Sequence, residues 1–505
     1  MKMDFNKNIY KFISVSIIAF WLVMMGILIS RNVIFTNRVK DYQPFLSKDT
    51  LLSDQWMGIY FNNASVGFVH TSIEPFQIKA GVSGFRIVNR TNMNFLLLRK
   101  RQKVWFGAEA IVDEDYQMRS FDFNLRSGAH SMNVKGVVTG GSVMNLEIDS
   151  QGRVIKKQII LPQREGVILA NIISPFSSFG KLSVGAHYKL QVFNPFSLEL
   201  EPLEIVVSGK DEIEYAGKLT EVFVVKSDYR GYEQTAWINA QGEVLKEETA
   251  LGWILVKESP DTASKMFSSF SKTDLELADF VSIVPNVLLE NPDADYLKVS
   301  VSGIGDDFNL ESSRQKILET TEDNKKVLEI IRQTMDITQA LPLPVTEYPD
   351  LLKGSEFLQI DDENIKKTAQ KIIGKETNSF VAARMINTWV YNNIRKVPVV
   401  SIPSALDVLM TREGDCNEHT ILFTALARAV GIPAQINVGL TYTGGRFYYH
   451  AWPSVYVGKW IEMDPTFGQD FVDVSHIKLL EGDLNKQLDI IKLIGKISVE
   501  VIEYR

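Results

Sequence analysis

The chain has 505 residues, a formal net charge of −7, 45% hydrophobic and 23% charged residues, and a single cysteine. These are globular values with room for two or three domains. The negative balance and the lack of a dominant basic tract exclude nucleic acid as an expected partner, and one cysteine excludes an internal disulfide framework.

At the amino end, Phe12 to Ser30 is an uncharged apolar run of 19 residues, long enough to span a bilayer as a helix. Lys2, Lys7 and Lys11 precede it against Asp4, and Arg31, Arg38 and Lys40 follow, so the positive-inside contrast is modest. Ile27-Leu28-Ile29-Ser30-Arg31 offers no small-x-small cleavage pattern. Residues 1–31 are therefore expected to be a cytoplasmic stub and transmembrane signal anchor, and 32–50 a spacer. This reading gives a single-pass inner (cell) membrane protein whose remaining residues lie outside the cytoplasm, in a periplasm. An inverted topology would put them in the cytosol.

Residues 51–285 read as short strands broken by turn signals at Asn62-Asn63, Gly140-Gly141, Asp149-Ser150-Gln151-Gly152 and Gln241-Gly242. Period-2 segments such as Met132–Val134, Leu146–Ile148 and Val222–Val224 predict a large antiparallel β-rich domain, a sandwich or a half-barrel. Trp56, Phe61, Phe68, Trp105, Phe123 and Trp237 are expected in its core. Nothing in this region has catalytic character; an envelope protein is its expected partner. Residues 286–350 read as a connecting segment with a helix: Glu311 to Met335 has helical composition with charged pairs. Pro342, Pro344 and Pro349 then keep Ala340 to Asp350 extended.

The last domain, 351–505, opens with Asp361-Asp362-Glu363 capping a helix that carries Ile365, Ala369 and Ile372. A second helix runs from Ser379 to about Arg395. Cys416 to Val430 is apolar on nearly every side and stops at Gly431 and Pro433, the mark of a buried central helix. Asp415 and Glu418 complete a capping box, which sets Cys416 in the first turn. There the helix dipole favours a thiolate, while the neighbouring carboxylates oppose it. Ala434–Tyr442 and Phe447–Val457 are strand-like runs joined by Thr443-Gly444-Gly445, and Lys459–Asp464 is a third. His450 lies in the second run with Tyr448 and Trp452 on the same face, and Asp464 precedes Pro465. Ile497 to Ile502 alternates like a closing strand.

A nucleophilic cysteine needs a base within hydrogen-bond reach and a third group to orient that base. Cys416, His450 and Asp464 supply those parts in chain order. His419 is a rival base, and Cys416, His419, His450 and Asp464 form an alternative zinc-type ligand set. His70, His130, His187 and His476 show no partner pattern and default to structure.

The segments Ser404–Leu409, Gly414–His419, Ala427–Ala434, His450-Ala451-Trp452 and Asp464-Pro465-Thr466 together resemble the transglutaminase-like superfamily, over roughly residues 360–480. The resemblance implies a papain-like α+β core with Cys416 as nucleophile, His450 as base and Asp464 as orienting acid, working without a cofactor. One departure stands out: many relatives carry an acidic residue where this chain has Ser454.

The expected fold class is thus α+β: a transmembrane helix, a large antiparallel β-rich domain and a transglutaminase-like domain. The expected activity is that of a membrane-anchored thiol enzyme on amide or peptide bonds, through a thioester, with hydrolysis favoured over cross-linking because no acidic cluster suggests a calcium switch. The alternative is an envelope binding or assembly module that keeps the fold without catalysis.

Overall fold

Fifteen strands, from β1 (Ser53–Phe61) to β15 (Trp253–Glu258), form one sheet in the computed structural model. The described residues are 53–505, apart from breaks at 115–116, 129, 151–152, 163–166, 170–181, 270–275, 292–293, 403 and 483. The run Phe12–Ser30 and the spacer lie outside them. Among the described residues no helix is long and apolar enough to cross a membrane.

The sheet has β8 (Arg153–Ile160) at one edge and β9 (Val167–Leu169) at the other, with β1 beside β15 in the middle. Its ladders are antiparallel except where β9 runs parallel to β10 (His187–Asn194). In strand order, β5 (Met118–Ser127) and β10 stand ten places apart. In a flat sheet that is ~48 Å, at ~4.8 Å per strand. Yet the rings of Phe121 and Phe193 are 5.0 Å apart, and those of Phe123 and Phe196 5.2 Å. The sheet therefore curls so that its two arms share one core, an open barrel and not a sandwich. Phe61 and Phe123 lie in that core. Trp56, Phe68, Trp105 and Trp237, expected there too, sit half-buried on the opposite face. Trp105 lies under Arg126 and Trp237 under Lys246. Strand alternation sends neighbouring aromatics to opposite faces, and both faces of this sheet hold them.

Two short helices, α1 (Pro260–Ser269) and α2 (Leu277–Val281), lead to a second sheet built from β16 (Tyr296–Ser302), β17 (Gln315–Thr320), β18 (Lys326–Ile331) and the last strand (Ser498–Tyr504). Here the sequence expectation needs correction. Glu311 to Met335 is a β-hairpin, not a helix, and 286–350 is the larger part of a sheet, not a connector. The hairpin turns at Thr321–Lys325, with Asn324 at φ 57°. Leu328 and Ile330 join Leu297 and Val299 in a fully buried cluster. That tertiary burial outweighs the helix preference of the Glu- and Lys-rich composition.

The third unit packs α3 (Glu363–Ile373), α4 (Ser379–Asn393), α5 (Ala405–Thr411) and α6 (Cys416–Ala429) on one face of a four-stranded antiparallel sheet, with a short parallel pair, β19 (Arg395–Lys396) and β20 (Glu413–Gly414), leading into α6. That sheet runs β23 (Trp460–Glu462), β22 (Arg446–Tyr456), β21 (Ala434–Thr443), β24 (Ile477–Glu481). The small sheet covers its other face, where Leu440, Phe447, Ile477 and Leu479 join the cluster around Leu297.

Two polar joints lock the small sheet to this unit. Gln315 donates from Nε2 to the Lys478 carbonyl at 2.7 Å and accepts the Lys478 N–H at 2.9 Å. Arg314, buried, donates from Nε to Glu462 Oε2 at 3.0 Å and from Nη2 to the His476 carbonyl. The open barrel is tied in as well. Gln102 donates to the Pro398 carbonyl at 2.8 Å, and Val400 and Ile402 pack against the barrel core. Arg314→Ala strands the buried Glu462 charge, so a loss of about 3–5 kcal/mol is expected in urea unfolding. Adding Glu462→Gln should recover part of that loss, because an amide needs no counter-charge.

Candidate active site

Helix α6 begins where the sequence says it should. Asp415 accepts the Asn417 N–H at 3.0 Å, and Glu418 Oε2 accepts the Asp415 N–H at 2.9 Å, completing the capping box. Two residues of the loop that packs against the barrel core hold these carboxyl groups: the Val399 N–H faces Asp415 Oδ2, and Ser401 Oγ donates to Glu418 at 2.5 Å. Cys416, half-buried, is the first residue of the helix.

The helix lies against β22. Thr420 Oγ1 donates to the Ala451 carbonyl at 3.0 Å, and the Ala451 N–H faces the Cys416 thiol. The thiol thus touches the residue next to His450. Opposite His450 in the ladder is Gly439, where a Cβ would lie 2.0 Å from the Ile477 carbonyl and 2.9 Å from the Trp452 ring. A side chain there would force β21 and β24 apart.

His450 Nε2 lies 2.7 Å from Asp464 Oδ2, both groups buried. That bond occupies Nε2 and leaves Nδ1 as the free ring nitrogen. Asp464 Oδ1 accepts the N–H groups of Thr466 at 2.6 Å and Phe467 at 3.1 Å, which folds the turn after Pro465. The turn lays Phe467 flat on His450, centroids 5.0 Å apart and 14° between planes. Gly468, at φ 73°, follows, and a Cβ there would meet the Tyr391 ring at 2.9 Å.

The electrostatics divide the site. Burial disfavours the Asp464 charge, but the imidazoles of His450 and His476 outweigh it and hold the carboxyl below the usual range. Burial first, then the Asp415 charge, pushes the Cys416 thiol up, against the Ala451 N–H. The helix-start preference for a thiolate is therefore overruled, and the resting group is a thiol. Burial and the neighbouring Asp415 push Glu418 up to about 8. That carboxyl therefore holds its proton to higher pH than an ordinary glutamate does.

Residues 366–465 match a family described as the transglutaminase-like superfamily. This segment is a transglutaminase-like domain. An uncharacterized protein of Haemophilus influenzae is 35% identical over 101 residues, which are 19% of this chain and 26% of the relative. The match thus spans about a quarter of that curated relative. Among solved structures, a candidate cysteine protease from Cytophaga hutchinsonii is 20% identical and covers 42% of this chain and 86% of its own, with a TM-score of 0.31. A β-barrel-like protein from Brucella abortus is 9% identical and covers 41% and 98%, with a TM-score of 0.29. TM-scores this low carry no argument about activity.

Within the transglutaminase-like domain and its flanks, sequence reasoning missed His476, Asp473 and Glu462. His476, assigned to structure, places Nε2 3.1 Å from Asp464 Oδ2 and Nδ1 3.2 Å from Asp473 Oδ1. The Asp473-x-Ser475-His476 spacing was a local signal. Its meaning depends on β24 pairing with β21, which spacing does not reveal. Glu462 accepts the Trp452 Nε1–H at 2.9 Å beside the Arg314 bond, and it faces Ser454 across the ladder. A carboxylate therefore stands directly across the ladder from Ser454.

His419 turns Nδ1 to the Asp415 carbonyl of its own helix at 2.7 Å. The metal-competent grouping among the described residues is His450, Asp464 and His476, with ligand atoms within 4.8 Å of one another, and not the set with Cys416 and His419. Its 2.7 and 3.1 Å spacings are hydrogen-bond distances. Asp415→Asn keeps the helix cap but removes the charge beside the thiol. Alkylation of Cys416 by iodoacetamide should then gain its pH midpoint at lower pH than in the unaltered chain; an unchanged midpoint contradicts this account.

Proposed function

We propose that the chain is a thiol enzyme that cleaves amide or peptide bonds, with Cys416 as nucleophile, His450 as general base and Asp464 as its orienting acid. One observation carries this reading. Asp464 takes Nε2 of His450 at 2.7 Å, so the remaining nitrogen is free to serve a thiol whose neighbour is Ala451. Because the resting group is a thiol, deprotonation accompanies attack. Nδ1 accepts the proton as sulfur bonds to the carbonyl carbon, and the imidazolium then gives that proton to the leaving amine. Backbone N–H groups at the start of α6, including that of Cys416, are suited to stabilise the tetrahedral oxyanion. Water resolves the thioester, which makes hydrolysis the favoured outcome over transfer.

The setting belongs to the same proposal. Phe12–Ser30 anchors the chain in the inner membrane with the remaining domains outside the cytoplasm, where substrates are envelope proteins or peptides. The open barrel is the natural surface for an envelope partner, since its core already engages the loop that supports Asp415 and Glu418.

Full-length chain in detergent, incubated with envelope peptides, should release new amino termini detectable by mass spectrometry. Cys416→Ala should abolish release, and His450→Ala and Asp464→Asn should each lower it by about 10²–10⁴-fold. Release that survives Cys416→Ala sinks the catalytic assignment. No release from the unaltered chain, with a thiol indifferent to His450→Ala, would favour the non-catalytic assembly role.

A further inference from the structure

Asp464 is gripped by two histidines, and the catalytic proposal uses one. His476 is fully buried, with each ring nitrogen facing a carboxylate oxygen: Nε2 to Asp464 at 3.1 Å and Nδ1 to Asp473 at 3.2 Å. A neutral imidazole has one N–H and one lone pair, and a lone pair aimed at a carboxylate is repelled. Both nitrogens must therefore carry hydrogen, and the ring is an imidazolium. It is also packed on several sides. Trp452 stands edge-on at 5.1 Å and Phe467 at 6.1 Å, while Arg314 holds the His476 carbonyl. Asp473 is fixed in turn by the Ser475 N–H and hydroxyl and by Gln469 Nε2, at 2.6–2.8 Å.

We propose that His476 and Asp473 are a positioning pair for the Cys416–His450 site: the His476 imidazolium, oriented by Asp473, pins the Asp464 carboxylate as an anion with Oδ2 aimed at His450 Nε2. This rests on the assignment of Cys416 and His450 as nucleophile and base. Oδ2 has two donors, one per histidine, and Oδ1 has the turn N–H groups, so the carboxylate is held on both oxygens and cannot rotate away during turnover. The cation also stands 5.6 Å from the His450 ring.

The pair has a pH signature. The titratable and charged groups facing His476 are Asp473 from its own turn, Asp464 from the turn after β23, His450 from β22, and Arg314 from the small sheet with its partner Glu462 on β23. Tyr504 of the last strand faces Asp473. Burial opposes the His476 charge, but the two carboxylates outweigh it and raise the group to about 9. A folded value above the ordinary one means the contribution is complete below about 6.5 and disappears as pH rises through about 9. On the acid side, Asp464 and Asp473 are both held below the usual carboxylate range, so their contribution persists until they protonate.

The test uses full-length chain labelled with ¹⁵N-histidine, read by NMR and by peptide release. The expected results are a doubly protonated His476 at pH 7.5 and an alkaline fall in kcat that tracks its titration. His476→Gln can still donate one hydrogen bond to Asp464 but carries no charge. It should melt below the unaltered chain, lose about 10²-fold in kcat with KM unchanged, and lack that alkaline fall. Asp473→Asn, which leaves His476 in place and covers the case where His476→Gln does not fold, should move the fall to lower pH. A neutral His476 at pH 7.5, or a His476→Gln enzyme with unaltered kcat and pH profile, overturns the positioning role. If Cys416→Ala or His450→Ala also retains turnover, the catalytic assignment itself fails. If both abolish turnover while His476→Gln changes nothing, the positioning role alone falls.

Discussion

A carboxylate with no solvent exposure is costly to keep charged, and Asp464 is such a group at the centre of the site. Its charge survives because every face of it is satisfied: His450 and His476 on Oδ2, two backbone N–H groups on Oδ1. Each of those partners is thereby fixed. The direction of the His450 ring, the turn that stacks Phe467 upon it, and the protonation of His476 all follow from one buried anion seeking donors. The sheet β23-β22-β21-β24 sets the anion between the histidines, and β24 is needed to bring the second of them.

That arrangement draws on all three parts of the chain. The small sheet inserts Arg314 behind the site, where it neutralises Glu462, whose carboxylate holds Trp452 beside His450. The open barrel reaches the front through the loop 397–402, whose far side packs in the barrel core and whose near side steadies Asp415 and Glu418. The thiol's surroundings are therefore more acidic and more enclosed than a helix start alone implies. Burial and the Asp415 charge raise the thiol for this reason, and the proposed mechanism accordingly has His450 remove the proton during attack instead of beforehand.

Features governed by neighbours in sequence were legible in the sequence. Asp415 and Glu418 announce the cap, Gly431 and Pro433 the stop, and Gly444-Gly445 the hairpin, because each depends on backbone geometry within a few residues. Features governed by distant pairing were not. Glu311 to Met335 carries charges at helix-like spacing, and its strand state appears only when Leu328 and Ile330 meet Leu297 and Val299. The closing strand at Ser498–Tyr504 was visible as a strand, but its partner β16 lies far upstream. His476 looked ordinary for the same reason: its two carboxylates converge through a turn and a strand pair. The curl of the barrel rests on Phe121 meeting Phe193 across ten strand places, a closure that alternation alone does not encode.

The central claim is that Cys416 becomes acylated during turnover. Full-length chain mixed with a peptide ester or amide and quenched in acid within the first turnovers can be weighed intact, and the adduct mapped. The account predicts a mass increase equal to the acyl group, located on Cys416, labile to hydroxylamine and absent from Cys416→Ala. Product formation with Cys416 unmodified throughout, or undiminished in Cys416→Ala, would contradict it.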